Sequence, residues 1–300
     1  MKYDVFTVGD PTLDLIFTDL PQVPCLGEDT LAKGFGLAPG EAYNTAVALH
    51  RLGISVAWAA DFGNDQISQL ILSMIRNDHM DESFFVHHER PFRRLSASFS
   101  FPEERGFLSF YDPSPTIPAG VAALQRVDAK VCFIPGLLTG SMFQLALPII
   151  RLKKMTLFMD GNCNTEVSLK DRSVKQTLKN LDVFLPNQSE ACQITGFTDL
   201  IDAGKALHEL CPMVIVKAGK DGSYAFTSDQ VVHQPAIEVN PIDTTGAGDV
   251  FDAGFLAAWL ENKPMQECLR WGNIAAGLST KGYGSSGYLV NREELERLLN

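Results

Sequence analysis

This chain has no cysteine pattern that builds a framework. Its six cysteines, Cys25, Cys132, Cys163, Cys192, Cys211 and Cys268, are scattered, and none stands in a CxxC pair. Most lie in or beside apolar runs such as AKVCFIPG at 129–136. That pattern describes small core residues in a reducing compartment rather than disulfides or a zinc site. The six histidines include the neighbours His87 and His88, but no metal-ligand spacing follows them. Positive charge is short as well: 25 Lys and Arg stand against 36 Asp and Glu, a net charge of −11. A nucleic-acid backbone or an anionic membrane is thereby excluded as the main partner, leaving at most a local basic cleft. No apolar run approaches the length of a membrane span. The opening MKYDVFTVGD carries Asp4 inside its apolar run and reads as a strand, not a leader. A cytoplasmic location is expected.

Two nucleotide motifs are also missing. GDPTLD at 9–14 follows the first strand without the glycines of G-x-G-x-x-G, which excludes a dinucleotide-binding oxidoreductase. There is no Walker-type loop, so any phosphate must be held by other means. Linkers, repeats and low-complexity segments are absent too. One domain over 1–300 is expected, with a core that needs no staples.

What is present is an alternation of short apolar runs with amphipathic ones. Strands are expected at 3–9, 55–63, 130–136, 155–162, 181–187 and 213–219. Helices are expected at 44–53, 65–78, 141–154, 188–196, 248–262 and 265–282. This order implies an α/β fold: a doubly wound, mostly parallel sheet with helices on both faces. Two stretches break the rhythm. LDLIFTDL and EDTLAKGFGL give short β-like segments, and 93–115 reads as a hairpin around a charged PEERG turn. These segments, about 12–38 and 94–112, are expected to form a small β lid over a cleft. Phe99, Phe101 and Phe110 either line that lid or pack as core.

In such a sheet ligands bind beyond the carboxyl ends of the strands. The string NPIDTTGAGDVF at 240–251 is expected to join a strand to a helix at that end. Between Thr245 and Asp249 it has no bulky side chain, so its backbone can approach a ligand closely. Successive N–H groups at a helix N-terminus make a site for negative charge. Asp249 shares that site at a cost. The cost makes sense where the carboxylate takes a proton from a hydroxyl and the N–H groups hold the phosphoryl group under attack. A GAGD standing alone reads more often as a capped loop.

DTTGAGDVFDAGF at 243–255 resembles the signature of the ribokinase-like (PfkB) carbohydrate kinase family. Further motifs extend the likeness along nearly the whole chain and in the family's order. They are VGDPTLDLIF, PGEAYNTAVALHRLG, AADFGNDQISQLI, LPNQSEA and VKAGKDGSYAF. The resemblance implies an ATP-dependent phosphotransferase with a small sugar as acceptor. By it, Asp249 is the catalytic base, and Gly246, Ala247 and Gly248 form the anion hole. Asn187 and Glu190 organise Mg²⁺ and its waters, a role that needs few protein contacts. By themselves they also read as a helix cap with a first-turn Glu. Lys217, Gly219, Lys220, Asp221 and Gly222 match the nucleotide loop, and Asn273 a position near the adenine. Asp243 and Thr245 match a monovalent-cation site, K⁺ in some members, with further ligands around 280–286. On the acceptor side Asp14, Gly40 and Asn44 match, with Asp10 assisting. A homodimer through lid strands follows by analogy.

The chain departs from the family at two positions. Pro39-Gly40 stands for Gly-Gly, and Glu41 stands where sugar-specific members often carry Lys. An acidic Glu41 repels a phosphorylated acceptor, so phosphosugars are disfavoured. GDPTLD resembles the opening of nucleoside kinases of the same superfamily, which keeps nucleosides open as acceptors. A non-catalytic sugar- or nucleotide-binding regulator is the alternative of another class, and an intact Asp249 disfavours it.

Overall fold

The computed structural model describes residues 2–101, 105–163, 167–282, 284, 287–288 and 290–299. In chain order the strands and helices begin with β1 (Tyr3–Val8), β2 (Pro11–Thr18), β3 (Gly34–Glu41), α1 (Ala42–Arg51), β4 (Val56–Phe62) and α2 (Gln66–Asn77). There follow β5 (Phe84–His87), β6 (Arg94–Ser100), β7 (Arg105–Tyr111), α3 (Ala119–Ala123), β8 (Ala129–Ile134) and α4 (Gly140–Leu152). Next come β9 (Thr156–Asp160), α5 (Arg172–Leu178), β10 (Val183–Leu185), α6 (Gln188–Thr195), α7 (Leu200–His208) and β11 (Val214–Lys217). The last are β12 (Ser223–Phe226), β13 (Val231–Gln234), α8 (Ala247–Leu260), α9 (Met265–Ser279) and α10 (Arg292–Leu299).

The large sheet has nine strands in the order β13-β12-β11-β10-β9-β8-β1-β4-β5. From β11 to β5 the neighbours run parallel, and β12 and β13 close one edge antiparallel. Parallel strands are covered on both faces, which is why β4 and β10 are buried at every position. One apolar cluster packs α1, α2, α8 and α9 on one face, and a second packs α3 to α7 on the other. The order reverses at β1, whose neighbours are β4 and β8. That topological switch point opens the cleft.

The expected lid is a separate four-stranded sheet, β3-β2-β6-β7. β6 and β7 form the expected hairpin, and Pro102–Glu104 of its turn lie outside the described residues. On one face Phe17 contacts Phe35 and Phe99 at ring centroid distances of 5.2 and 6.0 Å. Along this face Phe35 is 60% exposed, Leu108 69% and Phe110 51%. Phe99 and Phe110 therefore lie on the outer surface and not toward the cleft.

Several elements were not legible. β5, α3, α5, α7 and α10 are short or carry weak periodicity. EDTLAKGFGL becomes strand only from Gly34. The segment before the GAGD turn is a correction: 235–246 is irregular, not strand. Pro235 and Pro241 remove backbone donors there. Asn273 of α9 takes up the freed carbonyls, its Nδ2 donating to Gln234 O at 2.9 Å and Pro235 O at 3.1 Å.

Candidate active site

The carboxyl ends of the parallel strands carry the polar residues. Asp10 follows β1, Asp160 ends β9, Asn187 follows β10 and Lys217 ends β11. The first turn of α8 faces them. Gly246 is its N-cap at φ 73, a left-handed conformation that costs glycine little. Ala247 and Gly248 open the helix without intrahelical partners for their N–H groups, as at any helix start, although Ala247 N donates back to Thr244 O at 3.3 Å. Asp249 follows in the first turn, and Asn44 of α1 donates from Nδ2 to its Oδ2 at 2.9 Å. The amide oxygen of Asn44, Oδ1, is buried with no partner. Burial and the charge of Asp160 push the Asp249 carboxyl up to about 7, against the donation from Asn44 and the charge of Lys217.

Lys217 is the buried cation of the cleft. Its Nζ lies 2.6 Å from Asp160 and 3.2 Å from each carboxylate oxygen of Asp252. Burial pulls its pKa down, but Asp160 and Asp252 outweigh that and raise it, so it stays charged. One ammonium does not balance two buried carboxylates, and burial pushes Asp252 well above the usual range despite Lys217. Asp160 and Asp252 were missed in the sequence. Their signals were a carboxylate closing an apolar strand and an Asp inside an otherwise apolar helix.

Asn187 and Glu190 form a complete capping box on α6. Asn187 Oδ1 accepts from Glu190 N at 2.9 Å, and Glu190 Oε2 from Asn187 N at 2.8 Å. Burial and Asp160 raise the Glu190 carboxyl. Among the described residues no group of three or more His, Cys, Asp or Glu forms a metal cage. The donors still fit Mg²⁺ held through waters. They are oxygens only, and the charge of Asp160 raises the proton affinity of both Glu190 and Asp249, a negative field that a divalent cation beside Glu190 relieves.

Lys217, Gly219, Lys220, Gly222, Ala247, Gly248 and Asn273 line one cavity of about 1280 Å³ with the 236–241 segment. Asp221 is not among its lining residues; its carbonyl accepts from His233 Nε2 at 2.8 Å. Asn273 reaches the cavity wall, yet its amide donors are spent on the 235 segment. Asp243 Oδ1 accepts from Thr245 N at 2.9 Å and Thr245 Oγ1 at 2.7 Å, and Oδ2 accepts from Gly284 N at 2.8 Å. Of the further cation ligands expected at 280–286, Tyr283, Ser285 and Ser286 lie outside the described residues.

On the acceptor side, Thr12 donates to Asp14 Oδ1 at 2.8 Å, and a Cβ built on Gly40 would meet Asp14 Oδ2 at 2.2 Å. Glycine at 40 is what gives the carboxylate its place. Asp10 Oδ1 accepts from Asp61 N at 2.8 Å. Burial pushes both Asp10 and Asp14 up to about 6, and the charge of Glu41 adds to each. Glu41 was read as an uncompensated negative charge, and the structure corrects this. Arg94 of β6 donates to its Oε2 at 2.8 Å and Tyr111 of β7 to its Oε1 at 2.9 Å. Arg94 partly neutralises Glu41, so Glu41 by itself no longer gives an electrostatic ground for excluding a phosphorylated acceptor. No local sequence signal pairs positions 41, 94 and 111. The small sheet brings them together.

The family model for pfkB family carbohydrate kinases matches residues 4–291. Ribokinase of Bacillus subtilis is 27% identical over 310 residues, covering 99% of each chain. Cytidine kinase of Thermococcus kodakarensis is 26% identical over 287 residues, covering 94% of this chain and 97% of its own. The structure of Arabidopsis thaliana ribokinase complexed with ribose and ATP superposes with a TM-score of 0.83 at 21% identity. That match covers 100% of this chain and 99% of that one, and shows the shared fold.

Proposed function

The chain belongs to the pfkB family of carbohydrate kinases, and we propose that it moves the γ-phosphoryl group of ATP to a hydroxyl of a small sugar. The observation that carries this reading is the Asn44–Asp249 contact at the glycine turn, where a base and an anion site meet. Asp249 takes the proton of the acceptor hydroxyl. The hydroxyl oxygen bonds to the γ-phosphorus as the bond to the leaving ADP oxygen breaks. The N–H groups at Gly246, Ala247 and Gly248 bear the charge of the transferring group. Asp14, Gly40, Asn44 and Asp10 orient the acceptor, whose hydroxyls suit paired carboxylate and amide contacts.

The cavity lined by Lys217, Gly219, Lys220, Gly222 and Asn273 is the place for ATP, with Asp221 holding the turn from outside. Mg²⁺, held through water by Glu190 with Asn187 beside it, supplies charge neutralisation on the phosphates. K⁺ at Asp243 and Thr245 belongs to the same proposal. A nucleoside acceptor is the second reading, favoured by the cytidine kinase relative at nearly the same identity as the ribokinase. The exposed apolar face of the small sheet supports a homodimer through that sheet.

The test is ADP release from MgATP across a panel of sugars, phosphosugars and nucleosides, with Asp249→Asn beside the wild type. One strong acceptor, with turnover roughly 10²–10⁴-fold lower in the variant, is expected. Folded, ATP-binding protein that releases no acceptor-dependent ADP would overturn the catalytic reading and leave a ligand-binding regulator.

A further inference from the structure

A lysine at the end of a surface-reaching strand ordinarily sends its ammonium to water. Lys217 turns inward. Its ammonium has three N–H donors, and the three contacts to Asp160 Oδ1, Asp252 Oδ1 and Asp252 Oδ2 account for all of them. None remains for a nucleotide phosphate, although Lys217 lines the cavity. A Cβ built on Gly248 would lie 3.5 Å from Nζ, so the charge sits in van der Waals range of the first turn of α8.

We propose that Lys217 is a positioning residue of the transfer site. Clamped by Asp160 and Asp252, it keeps a fixed positive charge under the first turn of α8, where it stabilises negative charge on Asp249 and on a phosphoryl group seated at that turn. The proposal rests on the kinase reading, gives Lys217 a part that reading does not, and adds Asp160 and Asp252, which that reading does not use. Stability alone does not call for this cluster, because a buried ion network is often replaced by apolar residues at no loss. The surroundings of Asp249 do call for a cation. From β9 it faces Asp160, from its own helix Asp252, and from the small sheet Glu41, which Arg94 partly neutralises. From α1 it receives only the neutral amide of Asn44. Lys217 is the cation that acts on it, and it lowers its proton affinity as Asp160 raises it.

The experiment follows the carboxyl carbon of Asp249 by NMR titration of the substrate-free protein in wild type, Lys217→Met and Asp160→Asn. The expected midpoints move in opposite directions, up by about one pH unit or more without the lysine and down without the aspartate. A purely structural lysine would move neither in this pattern. Alongside, kcat is measured for Lys217→Met/Asp160→Asn, which removes the lysine together with one of its two carboxylate partners and leaves only Asp252, whose burial favours its neutral form, even where the single lysine variant does not fold. The double variant is expected to melt within a few degrees of wild type and to turn over about 10–100-fold more slowly. Unmoved midpoints, or a folded double variant with wild-type kcat, would overturn the proposal. A wild type that releases no ADP sinks the kinase reading alone, since the midpoints are read without substrate.

Discussion

Asn44 and Asp249 lie 205 positions apart in the chain and 2.9 Å apart in space, with the amide donating to the carboxylate across the α1–α8 contact. The bond stabilises the charged form of the base and aims its other oxygen. Asn44→Leu removes the donor while keeping the volume. Turnover is expected to fall about 10–100-fold, and the acid limb of the kcat/KM profile to move to higher pH. An unchanged limb would show that the contact does not tune the base.

The pH dependence has two opposite signs. Asp249 accepts a proton only when ionised, so kcat/KM is expected to rise through pH about 7 and level off above it. Stability runs the other way. The native carboxyl binds its proton more tightly than the unfolded chain does, so that contribution is present below the unfolded value near 4 and is lost as pH climbs to about 7. Asp249→Asn is therefore expected to raise Tm over wild type at pH 8 and to leave it nearly level at pH 4. Paired thermal melts decide this.

Gly40→Ala puts a Cβ into the space of the Asp14 carboxylate. The acceptor KM is expected to rise about tenfold or more, with the ATP KM and the far-ultraviolet spectrum unchanged. Equal rises in both KM values would place Asp14 outside the acceptor pocket.

Glu41 holds φ 54, a conformation that costs a non-glycine residue about 1–3 kcal/mol. Its contacts to Arg94 and Tyr111 hold it there. Arg94→Met should weaken the acceptor and leave Glu41 uncompensated, and any phosphorylated acceptor found in the panel should suffer most. Glu41→Gln/Arg94→Met is expected to recover part of the loss for neutral acceptors only. Steady-state kinetics with one neutral and one anionic acceptor read the difference.

Charges placed on the outer face of the small sheet, Phe35→Glu with Leu108→Glu, are expected to convert a dimer to monomers by light scattering. A wild type that is monomeric at all tested concentrations would remove the dimer proposal.

The sequence by itself determined the alternation of parallel strands and crossover helices, because buried β runs and amphipathic helices write different periods into the chain. It also marked the turn at 246–249, because the glycines and the Asp are contiguous and their backbone consequences are local. Tertiary structure alone decided which charges meet. Asp160, Lys217 and Asp252 come from two strand ends and a helix, and Glu41, Arg94 and Tyr111 from three lid strands. Pairing energies between such groups depend on distance and burial, and neither is a function of spacing along the chain. The same holds for Asn187 and Glu190, whose capping box was legible, while the field that Asp160 adds to it was not.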